Sequence, residues 1–268
     1  MASAARSPRM TRSKPVQMLF VTGAPRSGTT FVSDWITQAE DAYCAHEISR
    51  EVEGMTDSEI LDYLWYCART GADRQGKRAL HEFVRWPAHQ PKTQLTVLGF
   101  KEPIFWPVQS GVAPYHVDSF LERFPTKYVF MLRHPYDVIA SGRWRAEQTT
   151  TWPGFTADEH ARLWISSFQL WQRHRARGHS IFTIRWERLL LEYSTVCDEL
   201  QDFLGLGLPV FHGYELSEAQ LKQLRQRVSL ADGVVGNPDR ERLTDKDLHV
   251  ICSVVGNLAN HLGYNMEP

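Results

Sequence analysis

In the string Val21-Thr22-Gly23-Ala24-Pro25-Arg26-Ser27-Gly28-Thr29-Thr30, Gly23 and Gly28 stand at G-x-x-x-x-G spacing. That spacing lets successive backbone N–H groups curl around an anion, while the helix that follows presents its positive N-terminus. A strand-like run from Gln17 to Val21 leads in and a helix-like run from Thr29 to Gln38 follows. A loop for ATP would carry Lys and then Ser or Thr after the second glycine, to reach the β- and γ-phosphates and to hold Mg²⁺. Here the lysine position is Thr29, and the basic residue is Arg26, inside the turn. An arginine there is expected beside a single phosphate and its bridging oxygen rather than along a triphosphate tail, with Thr29 and Thr30 adding hydroxyls at the helix start. Such a loop suits a donor whose 5′-phosphate is the leaving group.

A second basic site follows the apolar run Tyr128 to Leu132, which ends at Arg133. His134-Pro135 turns the chain, and Asp137 to Ser141 begin a helix that brings Ser141 back toward the strand end. Arg133 and Ser141 are therefore expected to clamp a second phosphate together.

At this point the chain resembles the sulfotransferases that use 3′-phosphoadenosine 5′-phosphosulfate (PAPS). In that family a P-[KR]-[ST]-G-[ST]-T loop holds the 5′-phosphosulfate and a later R-x-P-x-D-x-x-x-S segment holds the 3′-phosphate. Both occur here in order, as Pro25 to Thr30 and Arg133 to Ser141. Weaker agreement comes from Ile184-Arg185-Trp186-Glu187-Arg188-Leu189, from Phe203 to Leu206 and from Leu262-Gly263-Tyr264, so the resemblance runs from Gln17 to Tyr264.

The resemblance implies a P-loop-like α/β fold, PAPS as co-substrate and no metal. It assigns nucleotide binding to Gly23, Pro25, Arg26, Ser27, Gly28, Thr29, Thr30, Arg133, Ser141, Arg145 and Trp186, with Trp186 near the adenine. Arg26 in place of lysine is similar to the tyrosylprotein sulfotransferases and related bacterial sequences, where a C-G-E-E segment supplies the base. The matching residues are Cys44-Ala45-His46-Glu47, which makes Glu47 the first choice for general base and His46 the alternative. Lys101, in Gly99-Phe100-Lys101-Glu102-Pro103, resembles the lysine of a K-D-P segment and joins Arg26 in meeting the charge of the departing phosphate; an ordinary surface lysine paired with Glu102 is the competing reading. The stretch Val234 to Arg240 stands where the family closes over the nucleotide but lacks the R-K-G string of the cytosolic enzymes. Two other functions stay open on the sequence: a P-loop kinase or NTPase with a degenerate loop, which leaves Arg133 and Ser141 unexplained, and a PAPS-binding protein without catalysis.

The elements that must position these residues are legible as a pattern. Apolar runs at Gln17 to Val21, Leu95 to Phe100, Tyr128 to Leu132 and Ser180 to Ile184 read as buried strands, and Asp57 to Arg69, Asp158 to Arg177 and Tyr193 to Leu204 as helices. Buried strands alternating with helices predict an α/β domain with a central, mainly parallel sheet covered on both faces. A chain of 268 residues with 43% hydrophobic residues is expected to fold as one domain over residues 16–268, behind a disordered basic tail at 1–15.

Thirty basic residues against 31 acidic ones give a net charge of −1, which argues against wholesale binding of nucleic acid. Cys44, Cys67, Cys197 and Cys252 form no C-x-x-C pair and read as buried free thiols. With no apolar run long enough for a membrane span or a secretory leader, the chain reads as cytoplasmic. Irregular segments around Trp86 to Pro91, Pro103 to Tyr115 and Thr149 to Phe155 hold Trp86, Phe105, Trp106, Trp152 and Phe155, expected to form the acceptor site. They point to a small hydroxylated molecule, a lipid or a sugar derivative as acceptor.

Overall fold

The computed structural model describes residues 16–48, 51–70, 92, 94–104, 115–150, 152, 154–209, 218–235 and 237–267. The basic segment 1–15 and the aromatic residues Trp86, Phe105 and Trp106 lie outside the described residues.

Five parallel strands form the sheet: β1 (Gln17–Gly23), β2 (Ala42–His46), β3 (Val97–Pro103), β4 (Thr126–Leu132) and β5 (Ser180–Arg185), in the spatial order β2-β3-β1-β4-β5. Three of the sequence-expected strands lengthen by one or two residues, and the run from Leu95 starts at Val97 instead. β2 was not expected: Ala42-Tyr43-Cys44-Ala45-His46 is short and mixed, and it pairs with β3 from Ala42↔Val97 to His46↔Lys101.

Because strand side chains alternate between faces, β1 feeds two cores. Met18 and Phe20 join Tyr43, Phe100, Tyr128 and α2 (Asp57–Thr70) on one face. Leu19 and Val21 join α1 (Thr29–Thr37) and the helix Tyr193–Leu204 on the other, through Val32, Trp35, Ile36 and Leu200. A further layer packs α4 (Pro135–Gln148) and α5 (Ala157–Ala176) against a C-terminal helix, Asp245–His261, through Ile139, Trp164, Ile251 and Val255. In chain order α3 is Tyr115–Glu122, α6 is Trp186–Leu191, α7 is Tyr193–Leu204, α8 is Glu218–Arg227 and α9 is Asp245–His261. Thr156 with Glu159 and Thr244 with Asp247 form capping boxes that fix where α5 and α9 begin.

β1 and β3 approach so closely that Gly99 has no room for a side chain: a Cβ there would overlap Leu19 O of the neighbouring backbone. The far end of α1 is closed by Lys92, whose Nζ donates to the carbonyls of Thr37, Ala39 and Ala42. A cation there complements the negative end of the helix, while burial brings its pKa down to about 8. All four cysteines are free; Cys44, Cys67 and Cys197 are buried, and Cys252 is only half-buried.

Gly99→Ala is expected to cost about 1–3 kcal/mol, the usual penalty for overpacking against groups that cannot yield. Gly154→Ala, where a Cβ meets nothing within 4 Å, serves as the control. Urea denaturation midpoints of the two variants compare them directly.

Candidate active site

Most residues singled out above for chemistry lie at the carboxyl end of a strand or just beyond it, while Ser141 and Arg145 lie farther along α4. The loop follows β1, His46 ends β2 and Glu47 follows it, Lys101 sits near the end of β3, Arg133 follows β4 and Trp186 follows β5. In open parallel sheets that edge is where ligands bind, at the point where the strand order reverses. Here β1 is that point, with β3 on one side and β4 on the other.

The loop between β1 and α1 curls through two left-handed residues, Arg26 at φ 72° and Gly28 at φ 99°. Gly28 opens α1 without a side-chain cap, so the first helical N–H groups are left to the loop. Gly28 also has to be glycine for space, since a Cβ would lie 2.6 Å from the Trp186 ring. Ser27 is fully buried, and its Oγ has no hydrogen-bond partner among the described residues. Pro25 and Thr29 are buried, whereas Thr30 is exposed and its carbonyl accepts from Ser33 Oγ at 2.9 Å.

Two arginines cross between the first and second segments. Arg133 Nη1 donates to the Arg26 carbonyl at 3.1 Å, and Arg26 Nε donates to Ser141 Oγ at 3.2 Å. The Arg26 guanidinium lies 5.8 Å from the Trp152 ring centroid and that of Arg133 lies 5.6 Å from Trp186, both within cation–π range. Arg133 Nε is buried without a hydrogen-bond partner among the described residues. Arg145 follows Ser141 by about one turn on α4 and is half-buried. Phe155 is buried edge-on against His160, so it contributes to packing.

On the other side of β1, Lys101 is 2% exposed and its Nζ donates to Glu47 Oε1 at 2.5 Å. Lys101 is thus not a surface lysine, and its partner is Glu47. Glu47 takes a left-handed conformation, φ 47°, donates its N–H to Lys101 O at 2.7 Å and keeps a side chain 49% exposed. His46 Nε2 lies 2.6 Å from Asp34 Oδ1 and 3.1 Å from Ser33 Oγ. Ser33 Oγ gives its one proton to the Thr30 carbonyl and so accepts from His46, which places the ring proton on Nε2 and makes Nδ1 the acceptor nitrogen.

Several supporting residues went unassigned in the sequence. Asp137, fully buried, accepts from Val234 N (2.9 Å), Asn237 Nδ2 (3.0 Å) and Arg240 Nε (2.7 Å), which fastens the segment 233–240 to the start of α4. Burial works to raise its pKa, but hydrogen bonding from Arg240 and the charges of Arg240 and Arg133 outweigh this and hold the carboxyl below its ordinary value. Glu187 is also buried; its Oε1 accepts the His134 N–H at 2.8 Å, and burial pushes its pKa up. Both carboxylates sit within the quoted motifs, but nothing in their spacing announces partners 53 residues away for Glu187 and 97 to 103 away for Asp137. The capping pattern Thr244-x-x-Asp247 was the available signal for α9.

The sequence profile of the sulfotransferase family matches residues 18–209, well over half of the chain. The chain belongs to the sulfotransferase family. No curated protein sequence is a significant match to it. Among solved structures, the sulfotransferase domain from the curacin biosynthetic pathway is 17% identical, with a TM-score of 0.50 over 95% of this chain and 100% of that one. The sulfotransferase domain of the Synechococcus PCC 7002 olefin synthase is 14% identical, with a TM-score of 0.49 over 96% and 97%. A mouse sulfotransferase complexed with PAP is 11% identical, with a TM-score of 0.47 over 93% and 89%. At such identities the first of these likenesses speaks to the fold, and the profile carries the family. Among the described residues no helix is long and apolar enough to cross a membrane.

The turn after Arg133 makes this sulfotransferase sensitive to acid. His134 Nδ1 accepts the Tyr136 N–H at 3.2 Å, so the neutral ring donates from Nε2 to Asn265 O at 2.9 Å. Burial, then the charge of Arg240, brings the His134 pKa from 6.5 to about 4. A depressed folded pKa contributes stability that is fully present above pH 6.5 and is lost as the pH falls toward 4. At about 1.4 kcal/mol per pH unit between the two values, the loss approaches roughly 3 kcal/mol. Thermal melts from pH 7.5 to 4 are expected to show this decline; burial brings the pKa values of His160 and His174 down to about 4 as well, so His134→Gln, which cannot titrate, should make the decline shallower by its own share and leave the rest.

Proposed function

We propose that this enzyme transfers a sulfuryl group from PAPS to an acceptor hydroxyl. The observation that carries the reading is the pairing of an anion loop after β1 with a second basic site, Arg133 and Ser141, after the adjacent strand β4. A donor with phosphates on both the 5′ and 3′ positions calls for two such sites side by side, and a nucleoside triphosphate calls for only the first. The residues suit that donor on their own chemistry. Among the described residues the buried Ser27 Oγ and Arg133 Nε have no hydrogen-bond partner, and polar atoms buried in this way carry a cost that an oxyanion relieves. The uncapped start of α1 adds backbone N–H groups, and Trp186, packed on Gly28, offers an aromatic wall for the base.

The donor supplies an activated sulfuryl group: the bond from sulfur to the 5′-phosphate oxygen breaks as the bond to the acceptor oxygen forms, which leaves 3′-phosphoadenosine 5′-phosphate (PAP). Glu47 takes the acceptor proton, since its carboxylate is held at the mouth of the site by Lys101 while staying half open to an incoming hydroxyl. Lys101 keeps further N–H donors for the charge that builds on the leaving phosphate. His46, its Nε2 committed to Asp34, is the second choice for the base. Trp152 over Arg26 gives the site an aromatic rim, which favours a small hydroxylated molecule, a lipid or a sugar as the acceptor.

Incubation with radiolabelled PAPS and a panel of hydroxylated acceptors is expected to yield labelled product and one PAP per transfer; neither binding nor transfer would remove the proposal. Glu47→Gln is expected to lower kcat by about 10²- to 10⁴-fold, the usual contribution of a general base, with donor affinity nearly unchanged. A larger loss in His46→Gln than in Glu47→Gln would move the base to His46.

A further inference from the structure

We infer that Asp34 is a positioning residue for sulfuryl transfer, acting through His46 to hold the end of β2 in register with the anion loop after β1; the inference rests on the PAPS reading above. α1 begins at that loop, and residues three and four apart along it are neighbours on its surface. Ser33, Asp34 and Thr37 of α1 are 0%, 4% and 1% exposed. Polar groups buried to this degree are costly unless paired, and all three meet β2. Thr37 Oγ1 accepts the Cys44 N–H at 3.0 Å, Ser33 Oγ accepts from His46 Nε2 at 3.1 Å, and Asp34 Oδ1 lies 2.6 Å from the same nitrogen.

These bonds make a path from the loop to the base. Thr30 ends the loop motif and gives its carbonyl to Ser33 Oγ at 2.9 Å, Ser33 receives His46, and Glu47 comes next in the chain. Glu47 is left-handed at φ 47° with its N–H on Lys101 O, so the direction of its carboxylate depends on where the end of β2 is held. The Ser33 hydroxyl can by itself turn round and donate to a bare Nε2 instead of accepting from a protonated one. Asp34 removes that alternative, because a carboxylate oxygen at 2.6 Å attracts a proton on Nε2 and repels a lone pair there. The ring therefore keeps one tautomer and one orientation. Asp34 has a side chain only 6% exposed against 20% for His46, so its effect on the reaction passes through the imidazole.

The test separates turnover, nucleotide affinity and tautomer. Asp34→Ala is expected to lower kcat by about a hundredfold, the loss that a small misplacement of reacting groups brings, and Asp34→Asn, which keeps the shape without the charge, by less. Affinity for PAP, measured by calorimetry, is expected to stay close to that of the wild type in both. Nitrogen NMR of labelled histidine, with the His46 signals assigned by their loss in His46→Gln, is expected to show Nε2 protonated in the wild type and mixed tautomers in Asp34→Ala. In the His46→Gln background the Asp34 substitutions are expected to cost little further kcat, because they act on the same group. Equal losses of kcat with and without His46, or an unchanged tautomer in Asp34→Ala, would overturn the inference. Should the alanine variant fold poorly, Asp34→Asn carries the same comparisons. A wild type that neither binds PAP nor consumes PAPS would overturn the PAPS reading and the transfer role with it, while the tautomer spectra, which need no donor, decide separately whether Asp34 sets the state of His46.

Discussion

One hydrogen bond, from Arg133 Nη1 to the carbonyl of Arg26, holds together the two halves of the site. A left-handed arginine costs roughly 1–2 kcal/mol relative to ordinary backbone, so the loop keeps its curl only while something outside it maintains the conformation. That support comes from the neighbouring strand, because β4 lies directly beside β1 and its last residues reach the level of the loop, with Gly23 opposite Met131. The reciprocal bond from Arg26 to Ser141 makes the arrangement mutual. The loop after β1 and the segment that begins at Arg133 are therefore one unit, and its geometry is inherited from the pairing of two parallel strands.

The same edge of the sheet concentrates charge where water is scarce, which is tolerable only when each charge is paired. Lys101 is almost wholly enclosed and meets Glu47; Asp34, also buried, meets His46; Asp137 meets Arg240. The pairs differ in how they face solvent. Asp137 is sealed and receives its hydrogen bonds from one strap of chain, so its work is structural. Glu47 is half exposed against a buried partner, an arrangement that holds a carboxylate in place without closing it to a ligand.

Much of this architecture was legible in the chain. The strands that read as buried apolar runs are the inner ones and β5, and Tyr193 to Leu204 forms a helix with the ends its pattern implied. The failure at β2 has a physical reason: five small and mixed residues at a sheet edge draw their strand character from pairing with β3 and not from their own periodicity. The site divides in the same way. Motif spacing located the loop, Arg133, Ser141 and the Cys44 to Glu47 segment, because each is a local pattern. The pairing of Lys101 with Glu47, the contact of Asp34 with His46 and the direction of the Arg26 side chain depend on which strands become neighbours. No local pattern encodes that.

The turn after Arg133 is also held from the far end of the chain. His134 donates to the Asn265 carbonyl, Tyr136 Oη to that of Met266 at 3.0 Å, and Glu187, which accepts the His134 N–H, lies 3.4 Å from Tyr264 Oη. The bonds to Asn265 and Met266 close loops of 131 and 130 residues, which forms them late in folding. During synthesis the loop after β1 emerges first, yet the turn that braces it lacks its supports until residues 264–266 have left the ribosome. Competence to bind the ligand would then arrive only once residues 264–266 have been made and not gradually along the preceding chain, so a nascent chain stopped short of them would not hold it.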